Sequence, residues 1–170
     1  MIKTKGVYYS DNIFDESNLI KLISSLKEKN KIIGLCVGAF DLLHAGHIAH
    51  FVSAKKYCDV LIVGVTSDKF VSKRKNGRPI FNEQLRAYSI SQIKPVDYVF
   101  ISDYLTANEA ISLVKPDFYI KGPDYKNKDA EEINSERDSV KRVGGKIVYT
   151  SGEKLSTTEI IKHIRKFKKN

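Results

Sequence analysis

A chain of 170 residues with 29% charged and 42% apolar residues has the composition of a folded globular protein rather than a disordered one, and it is long enough to bury a core of its own. No apolar run approaches the length that spans a bilayer, and the N-terminal stretch MIKTKGVYYSDN lacks the apolar core of a signal peptide, so the expectation is a single cytoplasmic domain over residues 1–170. The formal net charge of +9 suggests nucleic acid only until it is located: Lys162, Arg165, Lys166, Lys168 and Lys169 lie near the C-terminus, where residues 166–170 form a basic tail, and Lys73, Arg74, Lys75 and Arg78 lie in a Gly-Arg-Pro loop suited to a polyanionic small molecule. Neither nucleic acid nor membrane is therefore expected as a partner. Cys36 and Cys58 have no CxxC or Cys/His ligand spacing and read as small core residues.

In chain order, Leu19, Ile20, Leu22, Ile23 and Leu26 recur at helical spacings, predicting an amphipathic helix over 16–29 within an N-terminal extension, residues 1–30. Ile32, Ile33, Leu35, Cys36 and Val37 then read as a strand that ends at Gly38, turns through Ala39, Phe40 and Asp41, and enters a helix at His44 to His47. DVLIVGVTSD, residues 59–68, is a continuous apolar run typical of a parallel strand buried on both faces, ending in Thr66, Ser67 and Asp68.

A helix is predicted over 81–93, then a strand VDYVFI after Pro95, and a helix over 106–114 capped by Thr106 with Glu109 three residues on. Phe118 to Ile120 form a strand running into a Gly-Pro-Asp turn. A charged helix over 129–142 leads through Gly144 and Gly145 to the strand KIVYT, and a last helix over 157–167 has Ser156 as its N-cap. The alternation predicts an α/β fold: a Rossmann-like open parallel five-stranded sheet with helices on both faces. Ligands of such sheets sit at the carboxyl ends of the strands, which gathers Gly38 to His47, Thr66 to Asp68, Asp97, Lys121 to Tyr125 and Ser151 to Thr158 along one edge.

Two histidines three apart at a helix entrance suit phosphate. Both imidazoles can donate to phosphate oxygens and stabilise the charge that develops when phosphorus is attacked, although the spacing alone also fits metal binding or capping. Lys55 lies eight residues beyond His47, about 12 Å along a helix, with a side chain that leans back toward the N-terminus. Neither a Ser-His-acid triad nor a Gly-x-x-x-x-Gly-Lys-Ser/Thr loop is present, and the glycine turn is not GxGxxG, which argues against hydrolase, P-loop kinase and dinucleotide readings.

GAFDLLHAGHIAHF resembles the HxGH signature of the cytidylyltransferase-like nucleotidyltransferases. The likeness continues through Ala54-Lys55, Thr66-Ser67-Asp68, Arg78-Pro79, Val96-Asp97, IKGPDY, Gly144-Gly145 and STTEII, and within the family it is greatest to the heptose-1-phosphate adenylyltransferase domain of ADP-heptose synthase, with glycerol-3-phosphate cytidylyltransferase more distant. The resemblance implies transfer of NMP from ATP or CTP to a sugar phosphate with release of pyrophosphate, giving an NDP-sugar for surface polysaccharide. A polyol phosphate or a phosphonate is the alternative acceptor, and an inactive nucleotide- or nucleic-acid-binding module the non-enzymatic alternative.

It further implies that His44, His47 and Lys55 are catalytic. Gly38, Ala39, Phe40, Asp41, Asp97, Lys121, Gly122, Asp124, Tyr125, Ser156, Thr157 and Thr158 would bind nucleotide, and Asp68, Arg78 and Arg86 the acceptor. Mg²⁺ is expected with the triphosphate rather than on a protein ligand cluster, and a homodimer is implied. The chain departs from the family pattern at Pro123, which replaces a glycine and removes an N–H, at Lys154, and at Ser151.

Overall fold

The computed structural model describes residues 8–74, 76–127, 129–151 and 155–167. Lys75 of the basic loop, Lys154, Lys168 and Lys169 of the tail, and residues 1–7 of the N-terminal extension lie outside the described residues.

The apolar runs form the strands β1 (Ile13–Phe14), β2 (Ile33–Gly38), β3 (Val60–Thr66), β4 (Tyr98–Ser102), β5 (Phe118–Lys121) and β6 (Lys146–Tyr149). All pair in parallel in the order β1-β4-β3-β2-β5-β6. The helices are α1 (Glu16–Glu28), α2 (Ala45–Ala54), α3 (Asp68–Arg74), α4 (Glu83–Ser91), α5 (Ala107–Val114), α6 (Glu131–Arg142) and α7 (Thr157–Phe167).

Alternation along each strand sends side chains to two separate cores. Ile33, Leu35, Val60 and Ile62 pack under α1 and α5 with Leu19, Ile23, Ala110, Ile111 and Val114. Cys36, Leu61, Val63 and Val65 pack on the other face under α2 and α4 with Phe51, Ala54, Ala87 and Ile90. Complete burial of an aliphatic side chain contributes about 1.5–3 kcal/mol, so these two layers are the main source of stability.

The parallel α/β architecture is as expected, with one more strand. β1 adds to the edge through Ile13 opposite Val99, and Asp15 caps α1 by accepting from Asn18 N at 2.8 Å. The helix α3 was not anticipated. β4 begins at Tyr98, two residues later than the apolar pattern suggests, and Asp97 precedes it at the amino edge of the sheet, not at the carboxyl edge where it was expected.

From β2 the chain proceeds to β3 and β4 on one side, whereas β5 and β6 lie on the other. The strand order therefore switches between β2 and β5, and the carboxyl ends of these two strands border the crevice where ligands of open α/β sheets bind.

Candidate active site

β2 ends at Gly38, and the turn that follows is strained: Phe40 and Leu42 have φ of 46° and 48°, left-handed values that cost non-glycine residues about 1–3 kcal/mol each. Asp41 holds this turn. Its buried carboxylate accepts from Leu42 N at 3.1 Å, Arg78 Nε at 2.7 Å, Ile80 N at 2.8 Å and Phe81 N at 3.1 Å, so one side chain ties the turn to the 78–81 loop. Its carbonyl accepts from Thr157 Oγ1 at 2.8 Å, which brings the start of α7 to the same place.

His44 is the N-cap of α2. Its Nδ1 accepts from Gly46 N at 3.1 Å, so the ring proton resides on Nε2. The His47 ring stacks on it at 3.8 Å with 21° between planes, and the edge of the His47 pair is closed by Phe40 at 5.5 Å. His44 Nε2 and His47 Nδ1 are buried without a hydrogen-bond partner among the described residues. Burial lowers the pKa of His44, and burial followed by the neighbouring His44 and His50 pushes His47 down to about 4, against a small opposing effect of Asp41. Gly46 lets the chain pack closely here, since a Cβ would sit 3.0 Å from both the His44 ring and Leu155 and would press on each.

Ser156 and Glu159 form a reciprocal capping box: Glu159 N donates to Ser156 Oγ at 3.2 Å, while the Glu159 carboxylate accepts from Ser156 N at 3.3 Å and from Ser156 Oγ at 2.9 Å. Thr157 is engaged with Asp41, and Thr158 is exposed. The positive pole of α7 thus stands beside that of α2. A cavity of about 480 Å³ opens next to His44, lined mainly by Phe40, Leu42, Leu43, Phe81, Ile160 and Ile164.

At the end of β5, Lys121 is only 9% exposed and its ammonium pairs with Glu136 of α6, 4.2 Å above the Tyr125 ring. Gly122 follows as the N-cap of a single 3-10 turn, Pro123–Tyr125, which carries Asp124 and Tyr125 at the crevice.

Several expected site residues have other positions. Lys55 is not near the histidines: its ammonium bonds Asp59 O at 2.6 Å and pairs with Asp97, at the amino edge, because α2 runs away from the carboxyl edge over its whole length. Asp97 is not beside the crevice either. It accepts from Leu61 N at 2.6 Å, and its own N–H donates to Leu61 O at 3.0 Å, joining β4 to β3. Arg86 is 2% exposed and donates to Phe81 O at 3.0 Å, Ala39 O at 2.5 Å, Thr66 O at 2.8 Å and Asp68 Oδ1 at 2.8 Å. It is a buried tie between the turn, β3 and α4, and it pairs with Asp68. Arg78 is mostly buried, its Nε on Asp41.

Two residues that sequence reasoning passed over belong to this edge. Glu136 falls between Ile133 and Val140 on the buried stripe of α6, and a carboxylate in an apolar stripe signals a buried partner. His50 follows His47 by three positions, on the same face of α2.

The donor set bears on Mg²⁺. Among the described residues no group of three or more His, Cys, Asp or Glu side chains could hold a metal ion, and the carboxylate whose charge acts on His47, Asp41, is engaged by N–H donors and Arg78. The described residues offer no ligand cage, so no step below is routed through the ion.

Comparison with known proteins places this geometry in context. The family described as cytidylyltransferase-like matches residues 35–163. "Bifunctional protein HldE" of Aliarcobacter butzleri is 40% identical over 152 residues, covering 88% of this chain and 30% of that protein, and "Bifunctional protein HldE" of Helicobacter pylori is 38% identical over 149 residues, covering 87% and 31%. The chain spans about a third of the length of these curated relatives. Among solved structures, the lipopolysaccharide core biosynthesis protein of Thermoplasma volcanium shares 33% identity at a TM-score of 0.60, covering 73% of this chain and 99% of that one. A pantoate-beta-alanine ligase of Francisella tularensis, 17% identical at a TM-score of 0.61 and covering 86% of this chain and 69% of that one, shares the fold. On these grounds, with the stacked His44 and His47 at the head of α2, the chain belongs to the cytidylyltransferase-like family.

Proposed function

We propose that the protein is a nucleotidyltransferase that moves the NMP group of ATP or CTP onto a sugar phosphate of the heptose-1-phosphate kind. An oxygen of the acceptor phosphate forms a bond to the α-phosphorus, the bond from that phosphorus to the bridging α–β oxygen breaks, and pyrophosphate leaves with the electron pair. The product is an NDP-sugar, and no covalent enzyme intermediate is required.

The observation that carries this reading is the pair of buried imidazole nitrogens, His44 Nε2 and His47 Nδ1, without partners at the N-terminus of α2. A buried donor left unpaired costs about 1–3 kcal/mol, so an oxyanion that accepts from it is bound with that penalty relieved. As negative charge grows on the α-phosphate and leaving oxygens, the His44 N–H and the His47 ring stabilise it more strongly than in the ground state. The N-terminus of α7, with Thr158 exposed on it, is suited to the β- and γ-phosphates. The backbone from Gly38 to Phe40 and the turn from Gly122 to Tyr125 flank the crevice and serve base and ribose. Any Mg²⁺ arrives held by the triphosphate, where it neutralises phosphate charge.

The test is a matrix of ATP, CTP and other triphosphates against sugar phosphates, polyol phosphates and phosphonates, with pyrophosphate release as readout. Release with at least one sugar phosphate is expected. Turnover confined to a polyol phosphate or phosphonate would replace the acceptor, and no release with any pair would overturn the reading.

A further inference from the structure

His50 takes no part in the chemistry above, yet it is half-buried on α2 one helical turn beyond His47, in a tilted contact with Phe51 at 5.5 Å. Its Nδ1 lies 3.0 Å from Thr150 Oγ1. Thr150, 3% exposed at the end of β6, donates its hydroxyl to Lys121 O at 3.3 Å, and the same carbonyl accepts from Thr150 N at 2.9 Å. The threonine has a single hydroxyl proton, which we assign to Lys121 O. Its oxygen is then the acceptor for His50, which places a proton on Nδ1. Burial pushes His50 down to about 4, with the Lys121 cation adding to the shift and Asp124 opposing it, so the ring is neutral at ordinary pH.

We infer that His50 is a positioning residue for the nucleotide: through Thr150 it clamps α2 to the ends of β5 and β6 and fixes the floor of the crevice between β2 and β5. The inference rests on the reading of that crevice as the nucleotide site. Three segments that are distant in sequence meet in this one chain of hydrogen bonds. The helix that carries His44 and His47 is held by it at a set distance from the turn at Gly122. Both lone pairs of Lys121 O are occupied by Thr150, so this carbonyl does not read the base; recognition falls to the turn that follows. Loss of the clamp widens the crevice and weakens ground-state binding, while the donors at the head of α2 keep their own cap at Gly46 N.

The experiment compares His50→Leu, which keeps bulk without a donor, His50→Asn, whose amide N–H replaces Nδ1–H, and Thr150→Val. Readouts are calorimetric affinity for ATP and CTP, KM and kcat by pyrophosphate release, and the imidazole nitrogen shifts of His50 in the wild type. His50→Leu and Thr150→Val are each expected to raise the nucleotide Kd and KM about tenfold with kcat within about threefold, the double variant to match the single ones, and His50→Asn to recover to within about threefold of wild type.

A His50 ring protonated at Nε2 instead of Nδ1 overturns the inference whatever the variants do. Wild-type affinity in folded His50→Leu, beside a wild type that binds triphosphate, overturns it alone. A wild type that binds neither nucleotide overturns the nucleotide reading and this inference with it.

Discussion

One imidazole at His44 has two functions that separate substitutions can take apart. Its Nδ1 closes the first turn of α2, and its Nε2 is the unpaired donor toward the crevice. His44→Ala removes both, and kcat should fall about 10²–10³-fold, the effect of deleting one donor from a preorganised oxyanion site. His44→Asn keeps an N-cap of high preference without the distant donor, so thermal stability should return toward wild type while kcat stays low. Activity restored with the cap would refute the catalytic assignment. His47, held down to about 4 mainly by burial, gives a second test. A bound triphosphate adds negative charge beside both rings and raises their pKa values, so binding near pH 6 takes up protons and tightens as pH falls from the bound toward the free value. Calorimetry in two buffers of different ionisation enthalpy measures this uptake. A proton release on binding would show that the imidazoles do not face the phosphates.

Single elements differ in how far the sequence declares them. β2 and β3 are apolar on both faces, and their positions follow from that alone. β4 is harder: Val96 extends the apolar pattern, but the backbone at Asp97 bonds Leu61 before the ladder proper begins, and a carboxylate at the start of a strand belongs to the amino edge, whichever of the two boundaries holds. β1 is two residues long and has no periodicity to detect, and α3 presents only Phe70 and Val71 as buried positions. Within α4, Arg86 stands four residues before the buried Ile90 and shares its face, so the pattern did contain a sign that this arginine points inward. The Lys55–Asp97 contact provides the check on such placement. Lys55→Met should lower stability by about 0.5–1 kcal/mol, because the pair is a third exposed, and leave kcat within about twofold. A collapse of kcat in a folded Lys55→Met protein would return that lysine to the catalytic group.

For the molecule as a whole, the buried neutral histidines set an acid limit. His47 and His50 are both held down to about 4, while an unfolded histidine titrates near 6.5. Below about pH 6.5 the unfolded chain therefore binds more protons than the folded one, so stability declines as pH falls toward about 4, below which both states are protonated and these two residues contribute no further slope. Denaturant melts between pH 7 and 4.5 should show this decline, and substitution of both residues by Gln should flatten it; an unchanged slope would mean that the acid limit arises elsewhere. The fold class and the histidine pair were legible because each resides in one short stretch of chain. The network that shapes the site was not, because Asp41, Arg86, Thr150 and Thr157 join segments with no local pattern in common. The bond from Thr157 to the Asp41 carbonyl closes a span of 116 residues. On the ribosome that bond can form only after Thr157 has emerged, so until then the growing chain exposes its histidines without the second helix terminus needed to grip a triphosphate.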